Sequence, residues 1–256
     1  MYQPTKYFQM DKLHVSIFQD LWEMGHAAAE FVAQHVFTAI QERGNANLIL
    51  ATGTSQFSFL EAIKLKKIDW ERINVFHLDE YIGISEQHPA SFRKYLKDRI
   101  LDHVKPGKIF FLNGDTDNLH EEIGHYEALL TSHQIDISCI GIGENGHIAF
   151  NDPPVADFDD PHLVKIVELD EACRRQQLGE GWFPTLEDVP REALSLTIPA
   201  IMSSRVISCF VPEERKSAAV FNTLHNEIST ACPASILRGH PNAFLWLDQA
   251  AASKIV

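Results

Sequence analysis

The sequence predicts an α/β fold in which a mostly parallel β-sheet carries helices on both faces. Two observations predict it: eight short runs of apolar, β-branched and aromatic residues recur along the chain, and helical patterns lie between several of them. The 256 residues, 45% of them hydrophobic, suffice to bury the core that such a sheet needs.

In chain order the strand runs are LHVSIF (13–18), NLILAT (47–52), INVFHL (73–78), KIFFLN (108–113), ISCIGI (137–142), LVKIVEL (163–169), RVISCFV (205–211) and AFLWLD (243–248). Most are nearly continuous in apolar residues, the pattern of strands buried on both faces. The helical patterns cover residues 20–44, 90–104, 118–133 and 213–227, and FSFLEAIKL opens another after residue 56. No internal repeat, heptad run, low-complexity tract or Gly/Ser linker marks a boundary, so residues 1–256 read as one domain.

Charge and cysteine usage narrow the function classes. Lys and Arg number 22 against 35 Asp and Glu, a formal charge of -13, so the surface field opposes nucleic acid and anionic membrane. A small anionic ligand then needs a locally basic pocket. The four cysteines show no CxxC or Cys/His ligand spacing, and the histidines form no HExxH pair, which disfavours a metal site and a secreted disulfide framework. With no leader-like start and no apolar run of membrane-spanning length, the expectation is a soluble, cytoplasmic protein.

In open parallel sheets, ligands bind beyond the C-terminal ends of the strands, and three loops there carry unusual chemistry. ATGTSQ (51–56) leads from a strand into a helix. Gly53 allows close backbone approach, and Thr54 and Ser55 with free helix N–H groups suit a phosphate, although the same residues also suit a plain helix cap. It is not a GxxxxGK[ST] loop, so a nucleotide is not indicated. HLDEY sets Asp79 and Glu80 at the end of a buried strand, where partial desolvation raises a carboxyl pKa and prepares it for proton abstraction; the plainer alternative has one acid capping the next turn and the other solvated. GIGENGHIAFNDPP (141–154) gathers Asn145, His147 and Asp152, so that a carboxylate can orient the imidazole while its other nitrogen exchanges a proton. A structural glycine turn explains the stretch about as well. Lys216, and Arg174 or Arg175, are the candidate cations for an anionic group.

Together, LDEYIG with HPASF (78–92), GIGENGHIAFNDP (141–153) and CPASILRGHP (232–241) resemble the glucosamine-6-phosphate deaminase (isomerase) family, and ATGTS fits that family's phosphate-loop position. The resemblance implies a modified Rossmann-like fold and conversion of an amino-sugar 6-phosphate into a ketose 6-phosphate with release of ammonia. It implies Asp79 as the base that moves a proton from C2 to C1, and His147 as the ring-opening group assisted by Asn145 and Asp152. Thr54, Ser55 and Lys216 would hold the phosphate. No metal or redox cofactor is implied, since every step is a proton transfer or an imine hydrolysis. Members range from monomers to hexamers, so a homo-oligomer remains open.

Three features depart from the resemblance. Relatives carry Glu where this chain has Asp152, and the missing methylene draws the carboxylate back by about one C–C bond, which predicts a weaker hydrogen bond to His147. The segment VADFDDPH (155–162) is acidic where allosteric relatives have cations, which predicts no activation by an acetylated sugar phosphate. CRRQQLGEGWF does not reproduce the family's phosphate-binding arginine, leaving Arg174 or Arg175 in its place. Residues 160–190 are the candidate lid. A 6-phosphogluconolactonase-like hydrolase and a non-catalytic sugar-phosphate sensor are the alternative functions.

Overall fold

The computed structural model describes residues 2–169, 171–179 and 181–255. Its elements in chain order are β1 (Lys6–Met10), β2 (Leu13–Phe18), α1 (Leu21–Arg43), β3 (Ala46–Leu50), α2 (Phe57–Lys64), β4 (Ile73–His77), β5 (Asp79–Tyr81) and α3 (Phe92–Leu96). A π-helical turn over Lys97–Leu101 joins α3 to α4 (Asp102–Val104). There follow β6 (Lys108–Phe110), α5 (Leu119–Ser132), β7 (Ile137–Ile140), β8 (Val164–Glu168), α6 (Glu171–Gly179), β9 (Glu192–Leu196), α7 (Ile198–Met202), β10 (Val206–Val211), α8 (Ser217–His225) and β11 (Ala243–Asp248).

Eight strands form the main sheet in the order β1-β2-β11-β10-β7-β3-β4-β6. All neighbouring pairs are parallel except β1–β2, which is an antiparallel edge. The fold class expected from the sequence is therefore present, and the apolar runs explain it residue by residue. Along β3 and β4, Leu48, Leu50 and Val75 face one core with α1 and α2, while Ile49 and Phe76 face the other with Tyr126 of α5 and Val220 of α8. Successive side chains of a strand point to opposite faces, so two cores demand apolar residues at nearly every position.

The structure adds elements that the apolar runs do not mark. Strands β5, β9 and β8 make a small antiparallel sheet, and of these only β8 is visible as a run in the sequence. Edge strand β1 is exposed along much of its length, and β5 has three residues, too few to display a period. The expected helix over 90–104 forms, with the π-helical turn in its middle.

Chain order sets the ligand position. From β3 the chain moves outward to β4 and β6, then returns to the other side of β3 for β7 and continues to β10 and β11. The order thus reverses between β3 and β7, and the loops leaving their C-terminal ends diverge there to leave a crevice. Tyr126 braces the sheet beside it: its buried hydroxyl accepts from His77 N at 2.7 Å and lies 2.8 Å from His77 O and 3.1 Å from Phe110 O. Tyr126→Phe strands the His77 N–H, and we expect it to lose roughly 1–3 kcal/mol in urea unfolding with an unchanged denaturant slope. An unaltered midpoint would contradict the bracing role.

Candidate active site

A cleft opens at this crevice, lined by Ala51–Ser55 after β3, Leu78 and Asp79 after β4, Gly141–Gly143 and His147 after β7, and Arg215 and Lys216 after β10. Three loops singled out in the sequence thus meet at one place.

Asp79 and Glu80 divide their tasks because neighbours in a strand point to opposite sides. Glu80 turns inward. Its two oxygens accept from five donors: Tyr81 N, Phe92 N, Ser91 Oγ, Arg93 N and Arg93 Nε, at 2.8 to 3.1 Å. Burial pushes this carboxyl up, against the pull of those donors, and a ring of donors with an arginine accommodates the anion. Arg93 is fixed in turn by Asp115 at 2.7 Å and Ile84 O at 3.1 Å.

Asp79 faces the cleft. It is buried, and its Oδ1 has no hydrogen-bond partner among the described residues. Burial first, and then the charge of Glu80, push its carboxyl up from the ordinary aspartate value to about 8. Neither reading of the pair as cap and solvated acid holds as a whole: Glu80 is the structural acid, and Asp79 is desolvated instead of solvated.

The histidine loop is built around close contacts. The His147 ring lies against Gly143, where a Cβ would stand 2.1 Å from ring Cε1, so only glycine admits the ring there. His147 N donates to Asn145 Oδ1 at 3.0 Å, and Gly143 N donates to His147 O at 2.9 Å. Asn151 ties the loop to β9 through Leu196 O at 2.8 Å, and Ala234 of the CPAS stretch donates to Gly146 O at 2.8 Å. That late motif therefore clasps the loop and adds no residue to the cleft. Ala149, which lines the cleft, has a φ of 54°, a left-handed backbone that alanine rarely adopts.

Asp152 stands beside the imidazole, where the sequence predicts a weakened hydrogen bond. Despite the missing methylene, its Oδ1 stands 2.8 Å from His147 Nδ1. The oxygen lies off the ring N–H direction, however, so Nδ1 makes an electrostatic contact and no aligned hydrogen bond. The same oxygen also accepts from Asn145 Nδ2 at 2.7 Å. Burial pushes Asp152 up, but His147, Asn145 and the Cys173 thiol outweigh it and hold the carboxyl below its ordinary value.

The loop after β3 places Gly53, Thr54 and Ser55 on the cleft wall. Gly53 has φ 99°, and no side chain caps the 3-10 turn over Thr54–Gln56 or the following α2, so the capping alternative fails. Lys216 is buried on the opposite wall, unlike the solvated lysine of an ordinary helix start. The two candidate arginines are corrected. Arg174 donates to the backbone oxygens of Leu186 and Val189, and exposed Arg175 pairs with Glu171, so neither lines the cleft. Both sit on α6, whose inward face is instead occupied by Cys173 and Gln177.

Gln177 and Trp182, both within the candidate lid, line the cleft, and so does Arg215, which is not among the candidate cations. Gln177 Oε1 accepts from Tyr81 Oη at 2.6 Å and brings α6 over the mouth. Residues 170 and 180 of the candidate lid lie outside the described residues. The acidic segment 155–162 contributes nothing to the lining. Among the described residues there is no group of three or more His, Cys, Asp and Glu side chains that could hold a metal ion, and no helix long and apolar enough to cross a membrane.

Comparison with known proteins agrees with this geometry. Residues 19–246 match the family of glucosamine-6-phosphate isomerases and 6-phosphogluconolactonase. A glucosamine-6-phosphate deaminase of Bacillus cytotoxicus is 34% identical over 95% of this chain and 88% of its own length. The solved structure of a monomeric glucosamine-6-phosphate deaminase superposes with a TM-score of 0.85 at 33% identity, covering 93% of this chain and 98% of that one. A 6-phosphogluconolactonase from Shewanella baltica shares the fold, with a TM-score of 0.76 at 17% identity over 94% of this chain and 99% of that one. The chain belongs to the glucosamine-6-phosphate isomerase and 6-phosphogluconolactonase family.

Proposed function

We infer that the protein is an amino-sugar 6-phosphate deaminase that converts glucosamine 6-phosphate, or an epimer, into the matching ketose 6-phosphate and ammonia. The observation that carries this reading is Asp79: a buried carboxyl without a partner at Oδ1, on the wall of a cleft shared with His147 and facing loops suited to a phosphate. A buried carboxyl with no hydrogen bond at Oδ1 is, once ionised, a strong base for a carbon-bound proton, because neither solvent nor a donor stabilises its anion.

The phosphate binds between Gly53, Thr54 and Ser55 on one side and Lys216 on the other, which leaves the reactive end of the sugar toward Asp79 and His147. His147 moves a proton from the anomeric hydroxyl to the ring oxygen, opening the pyranose to the aldehyde. Asn145 and Asp152 hold the histidine loop and orient the ring. Asp79 then removes the C2 proton, the C1 oxygen takes up a proton, and an enolamine forms. Return of the proton to C1 gives a ketimine. Water adds at C2, a proton passes from the added oxygen to the nitrogen, and ammonia leaves as the C2–N bond breaks, so the net reaction is a hydrolytic deamination built from proton transfers and one imine hydrolysis.

Gln177 and Trp182, from the candidate lid, reach the cleft and serve as its cover, keeping water from the enolamine. Arg174 acts in this cover by holding the turn that contains Leu186 and Val189 to α6. Four buried cysteines that form no disulfide among the described residues are in keeping with a cytoplasmic enzyme.

Purified protein should release ammonia from glucosamine 6-phosphate, or from the galactosamine or mannosamine epimer. Asp79→Asn should lose this activity by roughly 10²-fold or more, the usual worth of a general base. No ammonia from any of the three sugars would overturn the reading.

Asp79 also predicts a pH dependence of stability. A carboxyl raised to about 8 keeps its proton in the folded chain after the unfolded chain has released it near 3.8. Its contribution is complete below the unfolded value and drains away as pH rises toward the folded one. The stability of wild type minus that of Asp79→Asn should therefore fall between pH 4 and pH 8, by up to about 1.4 kcal/mol per pH unit. A difference that stays constant across this window in chemical denaturation would contradict the raised pKa.

A further inference from the structure

The two loops that flank β7 share one backbone design. After β3, Gly53 at φ 99° and ψ 159° precedes a 3-10 turn over Thr54–Gln56 that runs into α2. After β10, Glu213 at φ 77° and ψ 144° precedes a 3-10 turn over Glu214–Lys216 that runs into α8. In this correspondence Ser55 matches Arg215 and Gln56 matches Lys216, and Ser55, Arg215 and Lys216 all line the cleft. The conformation at the first position is one that glycine adopts freely, and a glutamate there is strained.

Glu213 has a reason to be there. Its backbone N–H is held by both oxygens of Asp248 at 3.2 Å, and its carboxylate accepts from Arg215 Nε at 2.6 Å. Arg215 Nη1 reaches Glu144 at 3.3 Å, and Nη2 reaches Thr54 Oγ1 across the cleft at 3.2 Å. Each guanidinium nitrogen thus has an anchor, and the fork lies along the mouth between the two phosphate-type loops. Glu213 and Glu144 are both well exposed, with side chains 43% and 42% accessible. Ion pairs at that exposure are weak and exchange readily for a dianion.

We propose that Arg215 is the specificity residue for the 6-phosphate: Glu213 and Glu144 hold its guanidinium at the cleft mouth, and it transfers its hydrogen bonds to the phosphate oxygens as the sugar phosphate enters. The planar fork suits two oxygens of a tetrahedral anion, a geometry that Lys216 as a point charge cannot reproduce. The inference rests on the reading of the cleft as a sugar-phosphate site. The guanidinium in the cleft comes from the loop after β10 and not from α6, where Arg174 and Arg175 are engaged elsewhere.

Two assays on the full chain separate the inference from the proposed function. In calorimetric titration with inorganic phosphate, Arg215→Ala should raise Kd at least tenfold, Arg215→Lys should recover part of the loss, and Arg175→Ala should match wild type. In the ammonia assay, Arg215→Ala should raise KM for the hexosamine 6-phosphate by a larger factor than it lowers kcat. A phosphate Kd within twofold of wild type in Arg215→Ala, an equal loss in Arg175→Ala, or no phosphate binding by wild type would overturn the assignment. If wild type binds phosphate through Arg215 yet releases no ammonia, the deaminase reading fails and the assignment of Arg215 stands.

Discussion

The buried carboxylate of Glu80 is the interaction on which the site depends. Its five donors come from one short stretch, Tyr81 and Ser91 to Arg93, so this anion folds the chain after β5 back upon itself and starts α3 beside the cleft. Removing such an anion would leave Arg93 buried and paired only with the partly exposed Asp115. Because strand neighbours alternate, the same arrangement turns Asp79 to the opposite side, where no donor meets its Oδ1. One acid is saturated and the other is left wanting. The charge of the first then adds to burial in raising the pKa of the second.

Strain and close contact complete the site around that pair. His147 can lie flat only because residue 143 is glycine, and Ala149 accepts a left-handed backbone where the loop turns back toward Asn151. Glu213 accepts another beside Arg215. Such conformations persist only when their surroundings over-determine them. The ties of Asn151 to β9, of Ala234 to Gly146 and of Asp248 to Glu213 supply that support from three separate elements. The sheet itself contributes position: the reversal of strand order between β3 and β7 brings loops far apart in sequence to one crevice.

Much of this was legible in the sequence. The main strands follow from apolar runs because both faces of the sheet are buried, and the loops carrying Gly53, Asp79 and His147 follow from their place just after those runs. Other features leave no trace of that kind. Strand β5 is too short to show a period, and Arg215 sits among Glu213, Glu214 and Lys216, a composition that reads as an ordinary solvated helix start. A left-handed backbone at Glu213 is invisible in a residue type that seldom adopts it. Arg174 and Arg175 show the opposite error: two cations in a plausible segment, one spent on backbone carbonyls and the other on a neighbouring glutamate. Composition identifies charges, and only tertiary contacts decide which of them meet a ligand.

The division of labour between Glu80 and Asp79 has one direct physical signature, the ionisation of the Asp79 carboxyl in the folded protein. Carbon-13 NMR of aspartate side-chain carboxyls, with the Asp79 resonance identified by its loss in Asp79→Asn, measures it without reliance on substrate or turnover. The account predicts that this resonance titrates near pH 8. A carboxyl ionised from pH 5 upward would show that Asp79 is neither desolvated nor under the influence of Glu80, and would contradict it.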